Sequence, residues 1–482
     1  MPNQSNIANL LRNIERVTVM GLGRFGGGAG ATRFFAKLGT RVIVTDLSNM
    51  EKLADSVATL SDLPVTFHLG SHHESDFINT DLVLANQSAR PDHPLLAAAR
   101  AAGIPVLTET GIALALNQSP WLGVTGSSGK STTASLLAAM LKMRDKDALF
   151  GGNIGGDLLT RVNDHPAASP LAAELSSYQL IHIGPQLANG DIRPPCVAIV
   201  TNITPNHLDW HHGFDEYAES KRNLLRHQGK NDWAVLNILD PILADWAKDA
   251  PGRVISCSYD DPGANDSCFL HDDRITLRLD AQNVLSLPLT HLRIKGRHNI
   301  MNAMQAAAAA FVFFRDAEAV LAGAAGFTGL PHRLETIAKA KGKTFINDSK
   351  STTPESAILA LTLLDGPIAL IAGGYDKLSP FDKLAATIQR EAAALVLVGD
   401  SAERLKAAVE IAEAERPAAL GQLPIVVCDA DFDLAVHEAI RLCPSGGTVL
   451  LSPACASWGM FNDFEERGER FRDLALEYVA SC

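Results

Sequence analysis

The run Gly123-Val124-Thr125-Gly126-Ser127-Ser128-Gly129-Lys130-Ser131-Thr132-Thr133 holds the residue types that a phosphate-cradling loop needs. Glycines let backbone N–H groups approach an anion, a helix N-terminus adds positive potential, and a lysine reaches the outer phosphates. An apolar entry, Trp121 and Leu122, precedes the run, and a helix-like stretch from Ala134 to Leu141 follows it. Gly126, Ser127, Ser128, Gly129, Lys130, Ser131 and Thr132 are therefore candidates to bind ATP, with the Ser131 hydroxyl placed for Mg²⁺. The strict pattern has glycine five residues before Gly129; this chain has Val124 there, with glycines at 123 and 126. A Gly/Ser-rich turn that binds nothing is the plain alternative, and it leaves Gly-Lys-Ser-Thr at a helix mouth unexplained.

Mg²⁺ takes hard oxygen ligands. Glu174, in Ala172-Ala-Glu-Leu-Ser-Ser-Tyr-Gln179, and His207, in Asn202-Ile-Thr-Pro-Asn-His-Leu-Asp209, follow probable strands, where α/β sheets place their ligands. Alone, each is an ordinary acid or hydrogen-bonding histidine; downstream of a phosphate loop, both become metal candidates. Lys221 stands one turn after Tyr217 in a helix opened by Phe214. Its plain reading is a solvated lysine. Desolvated beside cations, such an amine loses its proton and reacts with CO₂, and the carbamate is an oxygen ligand for a second Mg²⁺. Further on, Asn347-Asp348-Ser349-Lys350-Ser351-Thr352 ends a strand. Asp348 suits a ribose hydroxyl and Lys350 a transferring phosphate. A glycine turn at Gly373-Gly374 leads to another cation, Lys377. Cys455 has no histidine nearby in sequence and reads as a packing residue.

Strand ends and helix starts must hold these residues, and the chain alternates the two throughout. Val17–Met20 reads as a strand, followed by the turn Gly21-Leu22-Gly23, glycines at 26, 27, 28 and 30, and an amphipathic segment through Leu38. Arg41–Thr45 is a second strand and ends in Asp46. This is a Rossmann-type start, in which the terminal acid meets a ribose or base edge. Leu82–Ala85 and Ile104–Leu107 read as further strands. A polar linker, Asn117-Gln-Ser-Pro120, opens a central region with a buried strand at 196–201, hairpin strands at 275–279 and 285–294, and an Ala-rich helix at 301–314. A second linker, Gly329-Leu-Pro331, opens a last region with strands at 344–347, 368–371, 394–398, 425–427 and 449–451. The expected fold class is α/β in three domains: a Rossmann-like domain at 1–118, a P-loop ATPase-like domain at 119–328 and a second Rossmann-like domain at 329–482.

A chain of 482 residues suits about three domains, and 46% hydrophobic with 20% charged residues is the balance of a globular enzyme. A net charge of −12 and the lack of dense Lys/Arg runs argue against a nucleic-acid surface. Seven cysteines without a C-x-x-C pair point to reduced thiols. The start, Met1-Pro-Asn-Gln-Ser-Asn6, lacks a signal-peptide pattern, and the longest apolar run, Ala306–Phe314, is too short for a membrane span. A cytoplasmic monomer without a membrane or nucleic-acid partner is expected.

Several segments, taken in order, resemble the Mur ligase family, ATP-dependent amide-forming enzymes of peptidoglycan assembly. Gly123–Thr133, with its Val124, is similar to the family's ATP loop, and Glu174–Gln179 to its Glu-Leu-Ser-Ser-Phe-Gln element. Gly296-Arg-His-Asn299-x-x-Asn302 and Leu330-Pro-His-Arg333-Leu-Glu335 match two further elements. Asn347–Thr352, Ser452–Ser457 and Phe464-Glu-Glu-Arg-Gly468 resemble the branch that adds glutamate. The resemblance implies joining of D-glutamate to UDP-N-acetylmuramoyl-L-alanine through an acyl phosphate, with ATP and two Mg²⁺ ions. It implies that Lys130 holds the ATP phosphates, Ser131 and Glu174 the first Mg²⁺, and His207 and a carbamylated Lys221 the second. Asn299, Asn302, Arg333 and Asp348 would contact adenine, ribose or phosphates. Lys350, Thr352, Lys377, Ser457 and Phe464 would surround the glutamate. Gly23 and Asp46 would hold the uridine nucleotide, and Asn153 and Ser176 would lie along the muramoyl-alanine.

The chain departs from the family at Arg24-Phe25, at Leu47 after Asp46, at Tyr178 for phenylalanine and just before Lys377. The extra glycines suggest a wider approach to uracil or diphosphate. The C-terminal domain is expected to close on the others during turnover. Other readings are a ligase adding L-glutamate or another amino acid, an NAD-dependent Rossmann dehydrogenase, and a non-catalytic ATP-binding regulator.

Overall fold

Short runs of valine, isoleucine, leucine and alanine, buried on both faces as parallel strands are, build most of the sheets. The computed structural model describes residues 6–23, 27–294, 296–376 and 378–481. The expectations placed on Arg24, Phe25, Gly26 and Lys377 fall outside the described residues. The chain forms two compact units, Met1–Phe327 and Thr328–Cys482.

The first unit holds two sheets. One is parallel, with spatial order Val65–Leu69, Arg41–Asp46, Arg16–Met20, Leu82–Leu84 and Val106–Leu107. The chain order 3-2-1-4-5 reverses between the strands at 16–20 and 82–84, so their carboxyl ends flank a crevice of the kind that binds ligands. The other sheet runs Gln282–Pro288, Arg274–Leu279, Ser267–His271, Arg253–Cys257, Trp233–Asn237, Val197–Val200, Trp121–Thr125, Leu171–Glu174 and Leu149–Gly152. Only the pairings among 267–271, 274–279 and 282–288 are antiparallel, so the strands bearing the phosphate loop, Glu174 and Thr201 all point the same way. One apolar core joins both sheets: Val17, Val19 and Phe35 belong to the same cluster as Leu171, Leu180 and Ala198.

Three expectations change here. Asn117-Gln-Ser-Pro120 is not a solvated linker, because Asn117 and Ser119 are buried in a local turn. There Asn117 Oδ1 accepts from Ser119 N and Oγ. The last hairpin strand stops at Pro288 rather than 294, where proline gives way to a 3₁₀ turn at Leu289–His291. The Ala-rich helix begins at Arg297, four residues before the expected start.

In the second unit the order is Glu335–Ala340, Lys343–Asn347, Thr448–Leu451, Ile368–Gly373, Ala392–Val398 and Ile425–Val427. All pairings are parallel except the first, an edge hairpin that the sequence did not signal. Its pattern Glu-Thr-Ile-Ala-Lys-Ala has little of the buried-strand signature. Among the described residues no helix is long and apolar enough to cross a membrane.

Candidate functional site

The strand Trp121–Thr125 ends in a turn where Gly126 has φ 145° and Gly129 has φ 80°, both disfavoured for residues with a side chain. A methyl on Gly126 would collide with Thr201 Oγ1, and one on Gly129 would lie 2.5 Å from Asn302 Oδ1. The turn is therefore closed on two sides, and the helix Lys130–Arg144 leaves from it with Ser131 and Thr132 in its first turn. Ser127 N donates to Asn202 O (2.8 Å) and Ser128 N to Asn202 Oδ1 (3.0 Å), which fixes the turn to the next strand. Lys130 Nζ donates to Gly126 O (2.9 Å) and Ser127 O (3.0 Å), curling over the loop.

Lys221 reaches the same carbonyl from the helix Phe214–Arg226, donating to Gly126 O at 2.9 Å. It is only 1% exposed and lies over the Tyr217 ring, 4.7 Å from the centroid. Burial, helped by the Lys130 charge and opposed by Glu174, holds its ammonium well below the usual lysine range. The solvated-lysine reading fails. Tyr217 anchors the other end of the loop, its hydroxyl donating to Ser127 Oγ (2.7 Å).

Glu174 ends the strand Leu171–Glu174 and is 1% exposed. Its Oε1 accepts from Asn153 Nδ2 (3.0 Å), while its buried Oε2 has no hydrogen-bond partner among the described residues. An orphaned carboxylate oxygen beside a phosphate loop is what a divalent-cation ligand requires, so the donor set fits Mg²⁺. Ser176 caps the helix Ser177–Ala188 in a reciprocal capping box with Gln179, whose amide reaches Thr110 Oγ1 of the preceding region (2.9 Å). His207 has φ 54° and packs against Tyr178, ring centroids 5.0 Å apart. Partial burial and the Lys130 and Lys221 charges lower its proton affinity, which favours the neutral, ligating imidazole. Asn302 Nδ2 donates to Asn299 Oδ1 (3.1 Å) on the helix that faces Gly129.

At the parallel sheet, Asp46 turns inward. Its Oδ2 accepts from Leu22 N (2.9 Å) and Gly23 N (3.2 Å), and its Oδ1 from Ser48 N (2.8 Å). The acid thus shapes the glycine turn itself. Two of the extra glycines have packing reasons: a methyl on Gly28 would lie 2.5 Å from Leu22 O, and one on Gly30 2.8 Å from Asp157 Oδ2. A pocket of about 80 Å³ opens beside this turn, lined by Gly21, Gly28, Asn86, Gln87, Thr108 and Glu109. Burial, with the Asp157 charge behind it, pushes the Glu109 carboxyl up to about 7. Sequence reading missed Glu109, Asn202 and Tyr217; only the position of Asn202 at a strand end hinted at a role.

In the second unit, Asp348 is buried, accepting from Ser452 Oγ (2.7 Å) and Leu334 N (3.1 Å), and burial lifts its carboxyl to about 6. Lys350 lies over the Phe464 ring (5.6 Å), Ser457 is buried, and Thr352 N donates to Lys350 O (3.0 Å). Arg333 N donates to Leu330 O (3.3 Å). Arg467, 1% exposed, ties these strand ends together, donating to Ser349 Oγ, Ser349 O and Cys455 O at 3.0, 2.9 and 3.2 Å. Cys455 is a buried packing residue, its thiol pushed up by burial.

Known proteins share this succession of domains. Three family models match in succession: Mur ligase MurD-like, N-terminal domain over 15–108, Mur ligase middle domain over 124–310, and Mur ligase, glutamate ligase domain over 332–455. A UDP-N-acetylmuramoylalanine–D-glutamate ligase of Symbiobacterium thermophilum is 37% identical over 95% of this chain and 97% of its own length. The chain belongs to the Mur ligase family. A second such ligase, of Roseiflexus sp. strain RS-1, is 36% identical over 96% of this chain and 99% of its own. Among solved Mur ligases, UDP-N-acetylmuramate-alanine ligase MurC of Thermotoga maritima superposes with a TM-score of 0.60 at 17% identity, covering 98% of this chain and 100% of that one. MurF ligase of the same organism, solved in complex with ADP, gives 0.52 at 16% identity, covering 98% and 99%. These structural likenesses speak to the three-domain α/β fold alone.

Proposed function

We propose that this Mur ligase joins D-glutamate to UDP-N-acetylmuramoyl-L-alanine at the expense of ATP. Near-full-length similarity to ligases of that name supports the choice of substrates. The observation that carries the chemistry is the meeting of Lys130 and Lys221 on the Gly126 carbonyl, with a Glu174 oxygen that has no partner among the described residues on a neighbouring strand end.

In this reading the alanyl carboxylate takes the γ-phosphoryl group of ATP, and the glutamate amine then displaces phosphate from the acyl phosphate to leave an amide. Mg²⁺, bound at two sites, would offset the phosphate charge. Ser131 and Glu174 would hold the first ion, and His207 and Lys221, the latter as a carbamate, the second. Lys130, already curled over the loop, would leave its contacts with the Gly126 and Ser127 carbonyls to meet the phosphates, and the backbone amides at the start of the helix Lys130–Arg144 would orient them. Asn299, Asn302, Arg333 and Asp348 serve the nucleotide. Lys350, Thr352, Ser457 and Phe464 serve the glutamate, and Lys377 joins them in this proposal. Gly23 and Asp46 shape the turn for the uridine diphosphate, and Asn153 and Ser176 follow the muramoyl-alanine.

The test is product mass after incubation with ATP, Mg²⁺, the acceptor and each glutamate enantiomer. The reading expects the amide with D-glutamate only. Product with L-glutamate alone, or only with another acceptor, would replace it with a sibling activity.

A further inference from the structure

A continuous set of contacts runs from the glycine turn of the parallel sheet to His207. Asn86 packs so tightly on Gly21 that a methyl there would lie 2.8 Å from its Nδ2, and Asn86 also lines the pocket beside the turn. Its Oδ1 accepts from Ser88 N (2.9 Å) and Ser88 Oγ (2.7 Å). Ser88 O accepts from the Trp210 indole N–H (2.7 Å). Trp210 meets Tyr178 edge-on at 4.5 Å, and Tyr178 meets His207 at 5.0 Å.

The segment 86–93 is fastened to 207–216 at several points. Arg90 lies over the Trp210 ring at 5.3 Å, donates to Trp210 O, and pairs with Asp92 (2.9 Å) and Glu216 (3.6 Å). His212 meets Asp92 (2.9 Å), and the helix Ser177–Ala188 holds the same segment separately, His182 meeting Ala89 O (2.8 Å). The turn that carries His207 is closed on its own carbonyl, which accepts from Trp210 N (3.1 Å) and His211 N (3.0 Å). A shift of the indole therefore acts on His207 twice, through Tyr178 and through the shared turn.

We infer that Trp210 is a positioning residue that joins the glycine turn to His207, so that a nucleoside diphosphate sugar bound at that turn and a nucleoside triphosphate on the phosphate loop each favour binding of the other. This rests on the ligase reading, which puts those two ligands at those two places. The coupling is a property of the fastening: each ligand keeps its own contacts when the indole is altered, and only their mutual effect is lost. Phenylalanine at 210 keeps a ring against Tyr178 and cannot donate to Ser88 O, so it cuts the path at one hydrogen bond.

The experiment measures the calorimetric Kd of UDP-N-acetylmuramoyl-L-alanine with and without a non-hydrolysable ATP analogue and Mg²⁺. In the wild type the analogue should tighten the acceptor about five-fold or more, the low end of ordinary site-to-site coupling. In Trp210→Phe the two Kd values should fall within about two-fold, each ligand alone binding as in the wild type. Arg90→Lys, which keeps the charge but loses the planar cover over the indole, should show the same loss and serves if the first variant misfolds. Full coupling in both variants, or none in a wild type that binds both ligands, overturns the role of Trp210. A wild type that binds neither ligand overturns the ligase reading and this inference with it.

Discussion

Replacing Glu109 by glutamine should stabilise the first unit, and increasingly so as pH rises. The carboxyl sits in the small pocket with Asp157 as its charged neighbour, and its proton leaves at about 7 instead of the ordinary 4.5. At 1.36 kcal/mol per pH unit, that gap is worth about 3 kcal/mol. The sign follows from the raised value. Below pH 4.5 both folded and unfolded chains carry a neutral Glu109 and nothing is lost. As pH climbs through 4.5 to about 7, the unfolded chain ionises freely while the folded chain resists, and above that the fold carries the full cost. Glutamine has the same shape and no charge. The variant should match the wild type near pH 4.5 and exceed it by up to about 3 kcal/mol at pH 8.

Urea unfolding followed by tryptophan fluorescence reads this, in a Trp458→Phe background that leaves the remaining four of five tryptophans in the first unit. A stability difference that stays flat between pH 5 and pH 8 would show that burial and Asp157 do not govern Glu109.

Other perturbations have equally definite outcomes. Lys130→Ala should cut amide formation at least about 100-fold, read as ADP production, because the loop loses the charge that faces the phosphates. Gly126→Ala drives a methyl into Thr201 Oγ1 at a φ of 145°, so binding of an ATP analogue should vanish in calorimetry. Arg467→Met relieves a buried charge but strands two carbonyl oxygens and a hydroxyl. The lost charge-assisted bonds outweigh the relief, and the second unit should lose about 2 kcal/mol in urea unfolding.

The parts of the site that are local in sequence were legible. A glycine-rich turn between an apolar strand and an Ala/Leu-rich helix declares itself, and Glu174 follows from its place at a strand end. Lys221 was harder: in sequence it is one lysine on a polar, charge-balanced helix, and only the packing of that helix against the phosphate loop buries it. Tyr217 and Asn202 act through partners 90 and 74 residues away, a distance over which spacing says nothing. Asp46 read as a ligand-facing acid because its strand position is right, yet backbone N–H groups of its own turn occupy it. Helix and strand ends drifted where a proline or a polar start intervened, as at Pro288 and Arg297. Arg467 stood inside a motif without a role, since its use is to bridge two loops that meet only in the folded unit.

Phosphate release from ATP, measured while acceptor and D-glutamate are omitted in turn, tests the central claim most directly. The account predicts steady release only when UDP-N-acetylmuramoyl-L-alanine and D-glutamate are both present, in step with amide formed. Steady release without glutamate, or binding of the acceptor with no release under any combination, would contradict it.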